Sequence, residues 1–376
     1  MDAPFIYGKM VEKKAFVNRV EDINVLTQNM QAQNNIILIS PRRWGKTSLV
    51  QRTVRQLVAK DKQYKYCFID IYKIQKETDF YKAFAEAIIN ATSGKVEEAM
   101  DSVMNFFKAI VPKLSVSPDV NSEISLSMDW EEIKKSPDEI LNLPEFIAKK
   151  KKIKLIICID EFQNISSFKN PMAFQKKLRA IWQYHQNVSY CIFGSKRHMM
   201  MELFGSSEMP FYKFGSLMFL EKISTEHWAK YIRKEFKRTS KMITSEQAAY
   251  LATAVENHSY YVQQLAQLTW FRTGYECSHE IVNQALDSLQ LQLSMLYRQI
   301  TDTLSKKQVN YLEALINDEK ELSSKATIEK YDLGTTGTVA RVRSSLEDKD
   351  VLDYLHKTIS FNDPVYKLWL KNYYFD

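Results

Sequence analysis

At 376 residues the chain exceeds what one hydrophobic core usually serves, so two or three domains are expected. With 45% hydrophobic and 26% charged residues, it is neither collagenous nor disordered. No apolar run approaches the roughly 20 residues needed to span a bilayer, and Met1-Asp-Ala-Pro-Phe5 lacks the basic-then-apolar form of a secretory leader. The expectation is a cytoplasmic protein with no membrane partner. A net charge of +7 is mild for this length and selects no class of partner by itself.

Four cysteines, Cys67, Cys158, Cys191 and Cys277, have no CxxC spacing, and three lie in apolar, strand-like runs. They read as buried free thiols rather than a metal site or disulfides. The 20 Tyr and 20 Phe are spread along the chain, as core material is, and form no stacking platform for bases.

In chain order, the first third alternates strand and helix signals, which predicts a parallel sheet with helices on its faces. Ile36–Ser40 reads as the first strand. It breaks at Pro41-Arg42-Arg43-Trp44-Gly45-Lys46-Thr47-Ser48 and runs straight into a helix ending near Lys60. A loop of this kind aims unpaired backbone N–H groups, and the positive end of a helix dipole, at one point beyond the strand. An anion belongs there. Lys46 would reach the β and γ phosphates of a nucleotide, Thr47 would hold Mg2+, and Gly45 would allow close backbone approach. The P-loop pattern is imperfect, because Ser40 stands where its first glycine is expected.

Tyr66–Tyr72 is a second strand, followed by a helix over about Asp79–Ala91. Between about 94 and 136 a Met/Phe-rich helical segment leads into Lys113–Ser117 and Glu123–Met128, two alternating pieces around turn residues, which reads as a hairpin insertion. Lys154-Leu-Ile-Ile-Cys-Ile-Asp-Glu161 is a buried strand ending in two acids. Those acids fall on the rim where ligands bind in open α/β sheets. Asp160 suits a metal or its water ligands, and Glu161 suits acceptance of a proton from an attacking water. After a helix over about Pro171–Gln186, Val188–Ser195 is a fourth strand whose last residue, Ser195, is positioned to touch the γ-phosphate or the water. Leu217–Ile223 is the fifth.

From about Thr225 to Thr303 strand signals vanish and helical periodicity takes over. The last segment reads as three helices (Ser305–Asn317, Ser324–Tyr331, Thr335–Lys349) with a Leu333-Gly334 turn and a short hairpin over Val351–Phe361, which together describe a winged helix-turn-helix. The expected division is thus a P-loop core over 1–223, a helical layer over 224–303, and a winged helix over 304–376.

Six ordered motifs carry a resemblance that spans nearly the whole chain. They are Phe16-Val-Asn-Arg19, Pro41–Ser48, Ile159-Asp-Glu-Phe-Gln163, Phe193-Gly-Ser195, His258-Ser-Tyr-Tyr-Val-Gln-Gln264 and Phe361-Asn-Asp-Pro-Val-Tyr-Lys-Leu-Trp369. The chain resembles the archaeal-type ATPases, AAA+-related P-loop proteins of the STAND group. The resemblance implies an α/β P-loop NTPase of ASCE type with a parallel sheet in strand order 5-1-4-3-2, an all-α lid and a C-terminal winged helix. It implies ATP/ADP and Mg2+ as cofactors, with Ser40, Pro41, Arg42, Arg43, Trp44, Gly45, Lys46, Thr47 and Ser48 around the phosphates. Phe16, Asn18 and Arg19 would lie near the adenine. Thr47 and Asp160 would hold the metal, and Lys46, Glu161 and Ser195 would serve hydrolysis. The His258–Tyr261 turn, with Tyr260, would let the lid sense the nucleotide.

Many relatives carry Pro-Leu-Tyr-Gly-Arg where this chain has Pro210-Phe-Tyr-Lys-Phe214, so an arginine is missing there, and Lys213 or Arg197 are the candidate substitutes. The lid turn also has Ser259 where relatives often have a different pattern. From Ser305 to Asp376 basic and acidic residues roughly balance, and Arg341 and Arg343 are followed by Glu347, Asp348 and Asp350. A neutral winged helix is a weak duplex binder. The expected function is therefore an ATP-binding, slowly hydrolysing switch that reports its nucleotide state to a protein partner. The alternatives are an ATP-dependent DNA-binding protein and a nucleotide-bound scaffold without turnover.

Overall fold

The apolar run Ile36–Ile39 forms strand β1, buried throughout, after helix α1 (Val20–Gln31). In the computed structural model, residues 3–9, 16–92, 115–118, 124–127, 137–355 and 358–375 are described. After β1 follow helix α2 (Lys46–Lys60), strand β2 (Tyr64–Asp70), helix α3 (Glu77–Thr92), the hairpin strands β3 (Ser115–Pro118) and β4 (Ile124–Ser127), helix α4 (Pro137–Lys151) and strand β5 (Lys154–Asp160). Helix α5 (Pro171–Trp182), strand β6 (Val188–Gly194), helix α6 (Arg197–Gly205) and strand β7 (Ser216–Phe219) complete this part.

The main sheet has the order β2-β5-β6-β1-β7, with every pair parallel. With the hairpin set aside, that is the expected 5-1-4-3-2 read from the other edge. Parallel pairing requires crossovers, which the helices supply, and burial on both faces explains why β5 is a nearly continuous apolar run and why every residue of β6 is buried. The register puts the ends of β1, β5 and β6 on one rim: Ile39 pairs with Gly194, and Ile159 with Ile192.

Aromatic packing holds the helices to this sheet. Trp182 stacks on Tyr190 at 4.2 Å and on Phe84 at 5.8 Å between ring centroids. Phe214 is buried in the same cluster, 5.1 Å from Phe211, with the Arg179 guanidinium 5.0 Å from its ring centre. Position 214, where the resemblance implies an arginine, is thus occupied by a core residue.

Residues Arg19–Pro41 and Lys46–Leu220 form this sheet unit, while Met1–Asn18, Arg42–Gly45 and Glu221–Asp376 form a second, helical unit. Each has its own hydrophobic core. The helical unit contains α7 (Thr225–Arg238), α8 (Ser245–Ala254), α9 (Ser259–Arg272) and α10 (His279–Asp302). It continues through α11 (Lys306–Ile316), α12 (Lys325–Lys330), α13 (Thr336–Asp348), the hairpin β8 (Leu352–Leu355) and β9 (Thr358–Phe361), and α14 (Pro364–Trp369). Serine and threonine caps set its helix starts. Thr244 with Gln247 and Ser305 with Gln308 form full capping boxes, and Ser224, Ser278, Ser324 and Thr335 each accept a backbone N–H. Gly334, at φ +91°, makes the turn before α13 that the sequence anticipates. A buried polar node closes the C-terminus: Asp363 caps α14 and accepts hydrogen bonds from the Tyr261 and Tyr297 hydroxyls.

Several boundaries differ from expectation. β2 stops at Asp70 rather than Tyr72, because the Asp70 carboxylate accepts the Tyr72 N–H and starts a 3-10 turn. α5 stops at Trp182 rather than Gln186, since Glu145 of α4 takes the Gln186 and Asn187 N–H groups. β7 covers Ser216–Phe219 and not the whole of 217–223. The hairpin pairs as expected, Val116 opposite Leu126, while the helical segment expected before it lies outside the described residues. All four cysteines are free and buried, with Cys158 directly opposite Cys191 across β5 and β6. No helix among the described residues is long and apolar enough to cross a membrane.

Candidate functional site

The rim of the sheet unit gathers residues from three strand ends. Lys46 is the first residue of α2, whose first turn holds no acid to compete for an anion. Its amine lies 3.3 Å from Glu161 Oε1. Thr47 Oγ1 donates to Asp160 Oδ2 at 2.8 Å, and Asp160 Oδ1 accepts the Glu161 N–H at 2.9 Å. Ser195 Oγ, just past β6, donates to Glu161 Oε2 at 2.7 Å, and Gln163 Nε2 donates to the same oxygen at 2.5 Å. Two of the three residues expected to serve hydrolysis therefore touch the third directly.

Backbone conformation makes this possible. Glu161 adopts φ +52°, ψ +41°, a left-handed conformation costly for a side chain other than glycine, which ends β5 and starts the 3-10 turn Phe162–Ser167. Gly45 sits at φ +91° with nothing within 4 Å of where a Cβ would point, so the loop is open at the position where phosphate would approach. Ser40, in place of the first P-loop glycine, is fully buried and its hydroxyl bonds the Pro41 carbonyl.

Electrostatics divide the two acids. Burial pushes the Asp160 carboxyl up to about 6, against the pull of Lys46 and the Thr47 hydrogen bond, with Glu161 adding repulsion. Burial would raise Glu161 too, but Lys46 and the hydrogen bonds from Gln163 and Ser195 hold it below the ordinary carboxylate value. Two hard oxygen donors, Thr47 and Asp160, thus stand side by side with incompletely compensated negative charge. That donor set fits Mg2+, which takes few protein oxygens and completes its shell with phosphate and water.

The loop residues Arg42–Gly45 belong to the helical unit, where they have defined partners. The Arg43 guanidinium lies 4.7 Å from the centre of the Tyr260 ring, and Tyr7 packs edge-on to the same ring. Arg42 Nε pairs with Asp350 at 3.3 Å, and the Lys222 amine lies 5.8 Å from the Trp44 ring. His258, the residue before α9, is buried. Of the residues expected near adenine, Phe16 and Asn18 fall in the helical unit, whereas Arg19 is buried in the sheet unit and pairs with Asp22. Ser48 lies half-buried on the first turn of α2.

Burial, with Lys222 and Arg43 nearby, lowers His258 to about 3. The folded value lies below the unfolded one, so its stabilising contribution is complete above pH 6.5 and is lost as pH falls from 6.5 toward 3. Urea unfolding of His258→Gln is expected to show an acid limb shallower than wild type by one proton, about 1.4 kcal/mol per pH unit. An unchanged limb would place the wild-type acid sensitivity elsewhere.

The family described as an ATPase domain predominantly from Archaea matches residues 16–250. The chain belongs to this ATPase family. A probable winged helix domain matches residues 295–372. A Walker-type ATPase of Pyrococcus abyssi superposes with a TM-score of 0.67 at 14% identity, covering 98% of this chain and 99% of its own. The ORC2 protein of Aeropyrum pernix, solved as ADPNP-ADP complexes, gives 0.54 at 12% identity over 97% and 93%. The ORC1 protein of the same organism, solved with DNA, gives 0.50 at 12% over 96% and 94%. At these identities the likeness is one of fold. No protein of curated function matches the sequence significantly.

For this archaeal-type ATPase, the sequence motifs single out Lys46, Thr47, Asp160, Glu161 and Ser195, and these five stand in one hydrogen-bonded group. The contact that sequence reading passes over is Gln163. It was visible only as the last letter of Ile159-Asp-Glu-Phe-Gln163, two residues beyond an acid at a strand end. Of the two candidate arginine substitutes, Lys213 places its amine 5.2 Å from the Tyr212 ring centre, and Arg197 opens α6.

Proposed function

We propose that the chain binds ATP with Mg2+ at its P-loop, hydrolyses it slowly, and acts as a nucleotide-dependent switch. The observation that carries this reading is the group formed by Lys46, Thr47, Asp160, Glu161 and Ser195 at the rim. Lys46 turns to the phosphates, and Thr47 and Asp160 would hold the metal, which would supply charge neutralisation of the phosphate oxygens. Water attacks the γ-phosphorus, its proton passes to Glu161, and the bond to the bridging oxygen breaks to leave ADP and phosphate, with Ser195 helping to orient the reacting groups. Turnover is slow because the buried Phe214 replaces an arginine, a residue type worth orders of magnitude in phosphoryl transfer.

The functional parts are a core over 1–223, a lid over 224–303 and a winged helix over 304–376, in the manner of a cytoplasmic STAND protein. Support for a switch comes from the P-loop arginines. Arg43 contacts Tyr260 of the lid segment, and Arg42 contacts Asp350 of the winged-helix segment, so the loop that meets phosphate also touches both. Phe16, Asn18 and Arg19 serve the adenine, and a protein partner reads the result. Among winged-helix residues suited to DNA, Arg343 stacks 4.4 Å from the Tyr354 ring centre, which leaves its charge engaged within the fold.

The test is phosphate release with Mg2+ and ATP, with and without duplex DNA. Turnover indifferent to DNA supports the switch. Stimulation by DNA would favour the nucleic-acid alternative, and tight binding with no turnover would favour a scaffold.

A further inference from the structure

Glu161 is held at both of its oxygens, and by different kinds of partner. Oε1 faces the Lys46 amine at 3.3 Å, whereas Oε2 accepts from Ser195 and from Gln163. Lys46 is the residue that phosphates would draw away, so the two oxygens have different fates when nucleotide arrives. Gln163 is only 1% exposed and sits on the 3-10 turn Phe162–Ser167, fixed close behind the acid it bonds.

Its seat is cut into the neighbouring strand. A Cβ built on Gly194, the last residue of β6, would lie 2.1 Å from Gln163 Oε1 and 2.6 Å from Met200 Sδ. Gly194 does not need to be glycine for its backbone angles, because its φ is not in the left-handed region. It needs to be glycine to leave room for the carboxamide. The motifs Ile159-Asp-Glu-Phe-Gln163 and Phe193-Gly-Ser195 thus meet in one contact, with Gly194 seating the amide and Ser195 sharing its acceptor.

We infer that Gln163 is a positioning residue for hydrolysis, pinning Oε2 of Glu161 so that Oε1, released when Lys46 turns to phosphate, is the oxygen that takes the proton from water. The inference rests on the ATPase reading above. A carboxylate held by one oxygen keeps its plane and direction while the other oxygen reacts, and a hydrogen bond to a charged group is strong enough to do this in a site of low exposure.

A double-mutant cycle on the full chain tests it. Gln163→Met keeps length and bulk without the donor and is expected to lower kcat about ten- to hundredfold with KM for ATP within about twofold, the range set by loss of one hydrogen bond to a charged group. Gly194→Ala should produce the same pattern by crowding the amide. In a Glu161→Gln background, where no base remains to be aimed, Gln163→Met should change kcat no further. Equal losses in both backgrounds, or wild-type kcat in Gln163→Met, would overturn the proposal. A second readout does not need turnover: the Gln163 side-chain amide resonance, assigned by its loss in Gln163→Met, should shift in Glu161→Gln and in Gly194→Ala. If wild type hydrolyses no faster than Glu161→Gln, the ATPase reading fails, and the amide resonance decides separately whether Gln163 pins Glu161. A resonance unmoved by either variant overturns that contact.

Discussion

Glu161→Gln is expected to bind Mg-ATP at least as tightly as wild type and to turn it over at least about a hundredfold more slowly, the usual worth of a positioned general base. The amide matches the carboxylate in shape, so it retains an oxygen able to accept from Ser195 and Gln163. It lacks a basic lone pair for the proton of an attacking water. Binding should hold or improve because the 3.3 Å pairing of Lys46 with Glu161 competes with any phosphate for the amine, and the substitution removes the competitor. Phosphate release together with nucleotide titration measures both halves. Undiminished turnover would remove Glu161 from the reaction, and a loss of binding equal to the loss of rate would make the residue structural.

Lys46→Ala is expected to weaken Mg-ATP binding about a hundredfold, within the 2–5 kcal/mol that truncating one partner of a buried charge pair costs. It should also lower the stability of the nucleotide-free protein. Lys46 is 6% exposed, and its amine offsets both acids: it draws Asp160 down against burial and helps hold Glu161 below its ordinary value. Removing it strands two neighbouring carboxylates in a partly buried site. A second substitution, Glu161→Gln, takes away one of those charges and should restore part of the lost stability without restoring nucleotide binding. Thermal melts and titrations of the two single variants and the double variant separate these effects. ATP affinity equal to wild type in Lys46→Ala would sink the P-loop reading.

Much of this is legible in the sequence. The strand, loop and helix around Lys46 identify themselves because a buried parallel strand has to be an apolar run, and the acids at 160 and 161 stand out because such a run ends abruptly in charge. Sheet order followed from family resemblance, not from any residue. What escaped depends on turns and on partners distant in sequence. Helix α4 hides behind an internal Pro144 and a lysine run, and is recognised as a helix only through the packing of Ile140, Leu141 and Leu143. The end of α5 is set by Glu145, whose carboxylate accepts the N–H of Gln186, 41 residues away. Gln163 reaches Glu161 only because Glu161 itself turns into the left-handed region, a conformation that no propensity scale assigns to glutamate.

The four thiols have a consequence for how unfolding of this protein can be watched. Cys67, Cys158 and Cys191 lie in three adjacent strands, from the edge strand β2 inward through β5 and β6, and Cys277 lies in the other unit. Burial raises the thiol pKa at Cys67, Cys158 and Cys277, so a thiol reagent gains no foothold from the native state. Each becomes reactive only when its surroundings open. The chain therefore carries natural reporters split three to one between its units, and the order in which they are modified in dilute denaturant reads out which unit lets go first, with no label added.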